Sequence, residues 1–241
     1  MSHWNFLNNL KVLFHKPPSS VAEYIYRDAY FKEPFDEMNN ARLHAIVNDE
    51  VEKRLRPLGF ETVGPLKWVK DRHSPLRHVF GLTKWKGGIV APRWGVSLDF
   101  VPHFSGQQVR WHRSNKAAMF DLCVDPADRG LDMTYVRGPR PIREMHRRVM
   151  ELAIPQADEF WKRCETTEQL TEAIAWLEDR LSKGGLGFYN YTQHSLTAAF
   201  VLAKAGRSTD AMAALEKGGA RQFRNDKAVQ KLRDLVVAAG A

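Results

Sequence analysis

Cysteine is scarce in this chain of 241 residues, which contains only Cys123 and Cys164. Two thiols are too few for a disulfide framework or a four-thiolate zinc site, so the sequence predicts two buried free cysteines. Long apolar runs are missing as well: no stretch of about 18 uncharged apolar residues occurs, which argues against a transmembrane helix. Residues 1–7 lack the basic and apolar regions of a secretory signal. We therefore expect a cytoplasmic protein.

Several motifs that mark large enzyme classes are absent too. The chain has no GxxxxGK(S/T) phosphate loop, no GxGxxG after a strand, no GxSxG elbow, no HExxH pair, no CxxC pair and no kinase signature set. The sequence therefore predicts no cofactor and no metal centre. Any catalytic site must be built from residues outside these motifs.

The composition is that of a folded protein with a basic balance. Hydrophobic residues make up 44% of the chain and aromatic residues 11%, which is enough for a core and excludes a disordered chain. The formal net charge is +8, with a pI near 9.5. This charge favours acidic partners such as nucleic acid, an anionic membrane surface or an acidic protein, without choosing among them.

Hydrophobic periodicity divides the chain into three parts. Residues 1–36 form a predicted N-terminal helical arm, in which Pro17 and Pro18 separate two short apolar segments. Residues 37–154 form the predicted sheet domain, and residues 155–241 form a helical region expected to pack on it.

The middle part begins with a helix and continues with strands. The apolar stripe over residues 40–55 predicts an amphipathic helix that ends at Pro57 and Gly59. Closely spaced strands with short turns indicate an antiparallel sheet, because parallel pairs need long crossovers. The fold class predicted is thus α+β, with a five- to six-stranded antiparallel sheet packed against helices and an all-helical C-terminal tail. The predicted strands cover residues 66–70, 76–85, 93–102, 108–113, 118–124 and 131–136.

The helical tail contains one segment with a familiar look. Residues 198–207 and 210–216 place small residues where two antiparallel helices would touch, with Gly206 at the bend. This segment resembles one tetratricopeptide hairpin. No second copy follows at a spacing of about 34 residues, so the resemblance implies a single helical hairpin rather than a peptide-binding solenoid.

Strand alternation over residues 94–113 places titratable side chains together. A two-residue turn at Ser105 and Gly106 would set Phe100 opposite Trp111 on the apolar face. The same register puts Asp99 opposite His112, an arrangement typical of an oriented general acid or base. The alternative interpretation is structural, since such pairs are common on solvated sheet faces.

Further side chains extend this candidate site. Arg110, Arg113 and His103 lie near the strand ends and are predicted to complete a pocket for an anion. A metal site built from Asp99, His103 and His112 is a weaker alternative.

A basic run lies further along the chain, with either a binding or a purely solvated role. The spacing of Arg140, Arg143 and Arg147 puts them on one helix face, able to contact phosphates or an acidic partner. Tryptophans between basic residues in the strands suggest base stacking, but Trp94 and Trp111 share the predicted core face, which weakens that hypothesis. The run comprises Arg137, Arg140, Arg143, His146, Arg147 and Arg148.

The layout of residues 40–182 resembles a bacterial family of uncharacterised domains. The shared features are a helix ending in Leu58-Gly59-Phe60, a strand with Trp68, an antiparallel sheet and a helical tail. By analogy the resemblance implies an accessory protein, for example one that neutralises a toxin. Three functions remain as hypotheses: a non-catalytic protein that binds a macromolecular partner, an enzyme that acts on an anionic substrate through Asp99 and His112, and a nucleic-acid-binding protein.

Overall fold

The computed structural model describes residues 40–71, 75–85, 89–105, 108–124, 134–135, 139–182, 194–219 and 226–240. The helical arm predicted over residues 1–36 lies outside these ranges. No helix within them is long and apolar enough to span a bilayer.

Helices flank a block of strands, which confirms the α+β class. A 3₁₀ turn, Arg56–Leu58, follows the first helix, and a π turn, Leu215–Gly219, follows the fifth. The elements are α1 (Asn40–Leu55), β1 (Glu61–Gly64), β2 (Lys67–Asp71), β3 (Leu76–Trp85), β4 (Ile89–Leu98), β5 (Pro102–Ser105), β6 (Gln108–Trp111), β7 (Leu122–Val124), β8 (Thr134–Tyr135), α2 (Pro139–Lys162), α3 (Thr167–Ser182), α4 (His194–Lys204), α5 (Ser208–Ala214) and α6 (Asp226–Ala239).

Helix α1 follows the predicted span. Val47, Val51 and Leu55 are fully buried, as their spacing on one helix face requires. Pro57 lies in the 3₁₀ turn, and Gly59 ends the segment with a φ of 85°, a left-handed conformation that favours glycine. The prediction for this helix is confirmed at both ends.

The main sheet is antiparallel, as predicted, with the strand order β1-β2-β3-β4-β7 and β8 paired with β4. Its register sets Trp68 beside Phe80 and Phe80 beside Trp94. These three aromatic side chains therefore share one face, and all of them are buried. The sequence analysis did not predict β1, which is a short edge strand with two exposed residues.

Helix α2 covers that aromatic face of the sheet. Trp161 stacks on His78 at a centroid distance of 5.2 Å and an interplanar angle of 7°, and it contacts Phe60 at 4.8 Å. Its indole nitrogen donates a hydrogen bond of 2.9 Å to the carbonyl of Gly95. One hydrophobic cluster joins α1, the sheet, α2 and the C-terminal helices around this contact.

A loop rather than a helix covers the opposite face of the sheet. Residues 112–121, here called the cover loop, connect β6 to β7. Ala118 packs with Val69 and Val79 in a second, smaller cluster that Phe120 borders. The Lys67 ammonium group donates a hydrogen bond to the Ala118 carbonyl. The sheet is thereby enclosed on both faces, although only one face carries the large core.

The sequence pattern predicts Thr167 as the cap of α3 and Leu152 on the buried stripe of α2, and the structure differs in both details. Helix α3 is capped by Thr166 rather than Thr167, because the Thr166 hydroxyl accepts from the Gln169 amide while the Gln169 side chain accepts from the Thr166 amide. Leu152, predicted on the buried stripe of α2, is 45% exposed. The helical hairpin is present: α4 and α5 meet at Gly206, whose φ is 73°.

The predicted boundary between residues 154 and 155 falls inside α2. The division of the chain into three parts stays a prediction.

His146 gives the contact between α1 and α2 a pH dependence. Its side chain is fully buried, and burial together with the nearby Arg54 charge lowers its pKa to about 3, against a hydrogen bond with the Val47 backbone. In the unfolded chain the His146 ring takes up a proton with a pKa of about 6.5, whereas the folded protein keeps the ring neutral. The contribution of His146 to stability is therefore fully present above pH 6.5. We expect the His146 contribution to stability to fall by about 1 kcal/mol per pH unit as the pH drops from 6.5 towards 3.

The substitution His146→Gln tests this expectation, because glutamine keeps a donor near Val47 but does not titrate in this range. Urea unfolding of both proteins at pH 7.5 and pH 5 should show a difference in unfolding free energy that narrows, or reverses, at the lower pH. An equal pH dependence in the two proteins would contradict the assignment.

Candidate functional site

A buried polar cluster lies where β3 begins, β4 ends and the cover loop crosses them. Arg77, Asp99, His112 and Asp121 are all buried, with exposed fractions of 5%, 8%, 0% and 8%. Charged groups are seldom buried to this extent unless they are paired. We define these four residues as the polar cluster.

Arg77 connects three segments of the chain. Its guanidinium group donates to the Asp99 carboxylate, to the Asn115 side chain at 2.7 Å and to the Arg113 carbonyl at 3.0 Å. Arg113 in turn donates to the Asp99 carbonyl at 3.3 Å. The planar fork of arginine suits such divergent acceptors. Arg77 thus fixes the start of the cover loop against the turn that follows β4.

The other half of the cluster is a chain of two imidazole rings and a carboxylate. The Nε2 atom of His112 lies 2.6 Å from an oxygen of Asp121, and its Nδ1 atom lies 3.3 Å from Nδ1 of His103. The same Asp121 oxygen accepts a hydrogen bond of 2.7 Å from the Leu98 amide. Both nitrogens of the fully buried His112 ring are therefore engaged.

Burial dominates the electrostatics of this chain of groups. It raises the pKa of Asp121 above its usual value, while the hydrogen bonds from His112 and Leu98 act in the opposite direction. Burial lowers the pKa of His103, and the interaction with the neighbouring His112 ring acts in the same direction. His103 is only partly buried and is the member of the chain nearest the surface.

The predicted pair of Asp99 and His112 is wrong, because each has another partner. A turn at residues 99 and 100 interrupts the strand predicted over residues 93–102, so β4 ends at Leu98 and β5 begins at Pro102. Ser105 pairs with Gln108 in the ribbon of β5 and β6, so Ser105 belongs to a strand and not to the predicted turn at Ser105 and Gly106. This register sets Pro102 opposite Trp111 and leaves Asp99 beyond the strand pair.

The structure brings four of the predicted site residues to one end of the β5–β6 ribbon. His103 lies opposite Arg110 in the ribbon, and His112 and Arg113 follow β6 directly. Trp111, predicted in the core, is 36% exposed, and the Arg113 guanidinium carbon lies 4.4 Å from the centre of its ring. We call the exposed side chains of Arg110, Trp111 and Arg113 the ribbon surface.

The Trp111 ring also contacts a buried aromatic side chain. The ring of Phe200, in α4, meets it at a centroid distance of 6.5 Å and an interplanar angle of 87°. The indole is thus fixed between a buried aromatic ring and an arginine. An anchored aromatic side chain of this kind loses little conformational entropy when a partner binds it.

The arginines of α2 form ion pairs with neighbouring carboxylates. Arg143 donates to Asp49 at 3.0 Å, and Arg147 donates to Glu151 at 2.6 Å and to Glu144 at 3.1 Å. Arg148 also pairs with Glu144. Arg140 lies in the first turn of α2, and Arg137 lies outside the described residues. The basic run is therefore a mixed-charge surface where its side chains are described.

Arg77 and Asp121 are the site residues that sequence reasoning did not single out. Each is an isolated charged residue next to an apolar strand segment, Arg77 within β3 and Asp121 directly before β7. A single charged residue within or next to an apolar strand was the only sequence signal that could have indicated a buried charge at these two positions. Asp99, the ion-pair partner of Arg77, lies 22 residues away in the sequence, and His112, the partner of Asp121, lies 9 residues away. Spacing alone therefore did not identify either pair.

Thiol chemistry and three-ligand metal sites find no support in the part of the chain that the structure describes. Cys123 and Cys164 are buried thiols outside any disulfide, as predicted, and burial raises the pKa of Cys164 to about 12. Among the described residues no group of three or more His, Cys, Asp and Glu side chains is placed to hold a metal ion.

Comparison with known proteins adds no relative to this description. The layout of helix, antiparallel sheet and helical C-terminal region agrees with the resemblance noted in the sequence. No family model, no curated protein and no solved structure matches the chain.

Proposed function

We propose that this protein is a non-catalytic binding protein that contacts an acidic protein partner through the ribbon surface. The observation that carries the proposal is the exposed Trp111 ring, fixed on Phe200 and covered by the Arg113 guanidinium group. Tryptophan and arginine are the residue types that most often dominate the energy of protein interfaces. Arg110, also exposed, adds a second positive charge to the same strand, next to Trp111 in the sequence.

The chemistry of the neighbouring groups favours binding over catalysis. His112, the candidate acid or base, is fully buried, and both of its ring nitrogens are occupied by Asp121 and His103. A general base must reach the proton it removes, directly or through one water molecule. The polar cluster serves instead to hold the base of the ribbon, and with it Trp111 and Arg113.

The charges favour an acidic protein over a nucleic acid. Arg143, Arg147 and Arg148 pair with carboxylates of α1 and α2, so each would have to exchange a protein partner for a phosphate. The net charge of +8 supports an acidic partner. A toxin neutralised by this chain is one such partner, a role that rests on the analogy made from the sequence.

The test compares two double variants of the tagged full-length chain in lysates of its source cells. Trp111→Ala with Arg110→Glu alters the ribbon surface, and Val237→Ala with Lys231→Glu makes the same kinds of change at exposed positions of α6. We expect wild type and the α6 variant to recover the same protein after nuclease treatment, and the ribbon variant to lose it. Titration of the purified partner should then show at least about a 30-fold loss of affinity, as expected for a hot spot.

Two results would overturn the proposal. One is equal recovery of the partner by the ribbon variant and the α6 variant, which would place the interface elsewhere. The other is recovery that disappears with nuclease, with an affinity for oligonucleotides that falls steeply as salt rises, which would indicate a nucleic-acid-binding protein.

A further inference from the structure

His103 and His112 face each other at a distance that suits metal ligation. Their Nδ1 atoms are 3.3 Å apart, their ring centroids are 5.4 Å apart, and the rings are tilted by 52°. Two histidine nitrogens bound to one tetrahedral zinc ion, each about 2.0–2.1 Å from it, are roughly 3.3–3.4 Å apart. We propose that these two histidines form a site for a divalent transition metal ion, of which Zn²⁺ is the best fit.

The surroundings of His112 have the arrangement that metal-binding histidines commonly show. A ligating imidazole usually donates its other ring N–H to a carboxylate or carbonyl, which fixes the tautomer and the orientation of the ring. Asp121 is placed to accept that proton, 2.6 Å from Nε2 of His112, and the Leu98 amide holds the carboxylate in place at 2.7 Å. With the proton on Nε2, the lone pair of Nδ1 points to the side where His103 lies.

The rest of the coordination sphere would be filled from outside. No third His, Cys, Asp or Glu joins the two histidines among the residues that the structure describes. Water or a ligand atom would therefore occupy the other positions, as in zinc sites that keep open positions. Two imidazole nitrogens with solvent select ions of the Zn²⁺, Co²⁺, Ni²⁺ and Cu²⁺ group over Mg²⁺ and Ca²⁺.

A metal ion at this place would cross-link two segments. His103 lies in β5 and His112 opens the cover loop, so one ion would join the ribbon to the loop. An ion that binds only the folded chain raises its thermal stability. This inference does not rest on the partner proposed above, and its experiment involves no partner.

The experiment titrates Zn²⁺ into the full-length chain after treatment with a chelator, using isothermal titration calorimetry and thermal unfolding. We expect one ion per chain at this site and a higher melting temperature with Zn²⁺, but no comparable effect of Mg²⁺. His103→Ala should remove the high-affinity event, because this partly buried ring supplies half of the protein ligands. Asp121→Asn should weaken binding about 10- to 100-fold, as expected for a residue that orients a ligand.

His44→Ala provides the matched control, since His44 is a partly exposed histidine of α1 and is expected to leave Zn²⁺ binding unchanged. Circular dichroism spectra of the three variants establish that each is folded. The proposal is overturned if wild type shows no saturable uptake of Zn²⁺, or if His103→Ala binds the ion as wild type does. In that event the 3.3 Å contact is a hydrogen bond between two imidazole rings.

Discussion

Replacement of Arg77 by methionine should lower the free energy of unfolding by about 3–5 kcal/mol, the usual cost of removing one partner of a buried ion pair. Methionine fills much of the same volume, so the expected loss comes from the charge and its hydrogen bonds. The buried Asp99 carboxylate would lose the Arg77 guanidinium, and the Asn115 side chain and Arg113 carbonyl would lose their donor. Guanidinium unfolding followed by tryptophan fluorescence measures this difference.

The double variant Arg77→Met with Asp99→Leu distinguishes a buried charge from a packing defect. Removing both charges avoids a buried carboxylate that has lost the Arg77 guanidinium, so we expect the double variant to be more stable than Arg77→Met alone. A single variant within about 1 kcal/mol of wild type would mean that water reaches Asp99, and that the cluster does not hold the cover loop.

Most of the fold follows from local patterns in the sequence. The stripe of Val47, Val51 and Leu55 needs only a period of 3.6 residues, and the structure places α1 over the predicted residues. Strand β3 likewise has the predicted bounds, Leu76 to Trp85, and is rich in the apolar and aromatic residues that favour strands. Such elements are predictable since the residues that specify them lie within one or two turns or strand repeats of each other.

The candidate site was harder to predict because its geometry depends on a strand break and a register. A ribbon register shifted by two residues keeps every side chain on its original face, so burial of apolar residues cannot separate the two registers. The observed pairing of Ser105 with Gln108 differs by two residues from the predicted register and does not set Asp99 opposite His112. The turn at Asp99 removed that residue from the strand pair altogether.

Local sequence patterns also did not predict that a loop covers the second face of the sheet. The cover loop has no strand or helix of its own, yet Ala118 and Phe120 bury the outer face of β2 and β3. This arrangement buries three polar residues, Arg77, Ser97 and Asp121. The polar cluster exists because charged residues on that face had to find partners once the loop excluded water.

Replacement of Gly95 by alanine should destabilise the fold severely, although it adds only one methyl group. A Cβ atom at this position of β4 would collide with the backbone carbonyl of Leu122 and lie 2.9 Å from the Cα atom of Cys123, in the neighbouring strand β7. Neither neighbour can rotate away, because both contacts involve backbone. Relief requires β7 to move off β4, which breaks the pairing of Gly95 with Cys123 and disturbs the hydrogen bond from Trp161 to the Gly95 carbonyl.

We expect Gly95→Ala to cost more than about 4 kcal/mol, within the range reached only by severe core defects, or to leave too little folded protein to measure. Gly64→Ala is the matched control, since the nearest atom to its new Cβ is the Lys67 Cβ at 3.8 Å, an ordinary contact. The control should unfold within about 1 kcal/mol of wild type in the same denaturant titration. Equal unfolding midpoints for the two variants would show that β4 and β7 do not approach each other as closely as described. The position of β7 beside the polar cluster would then be wrong.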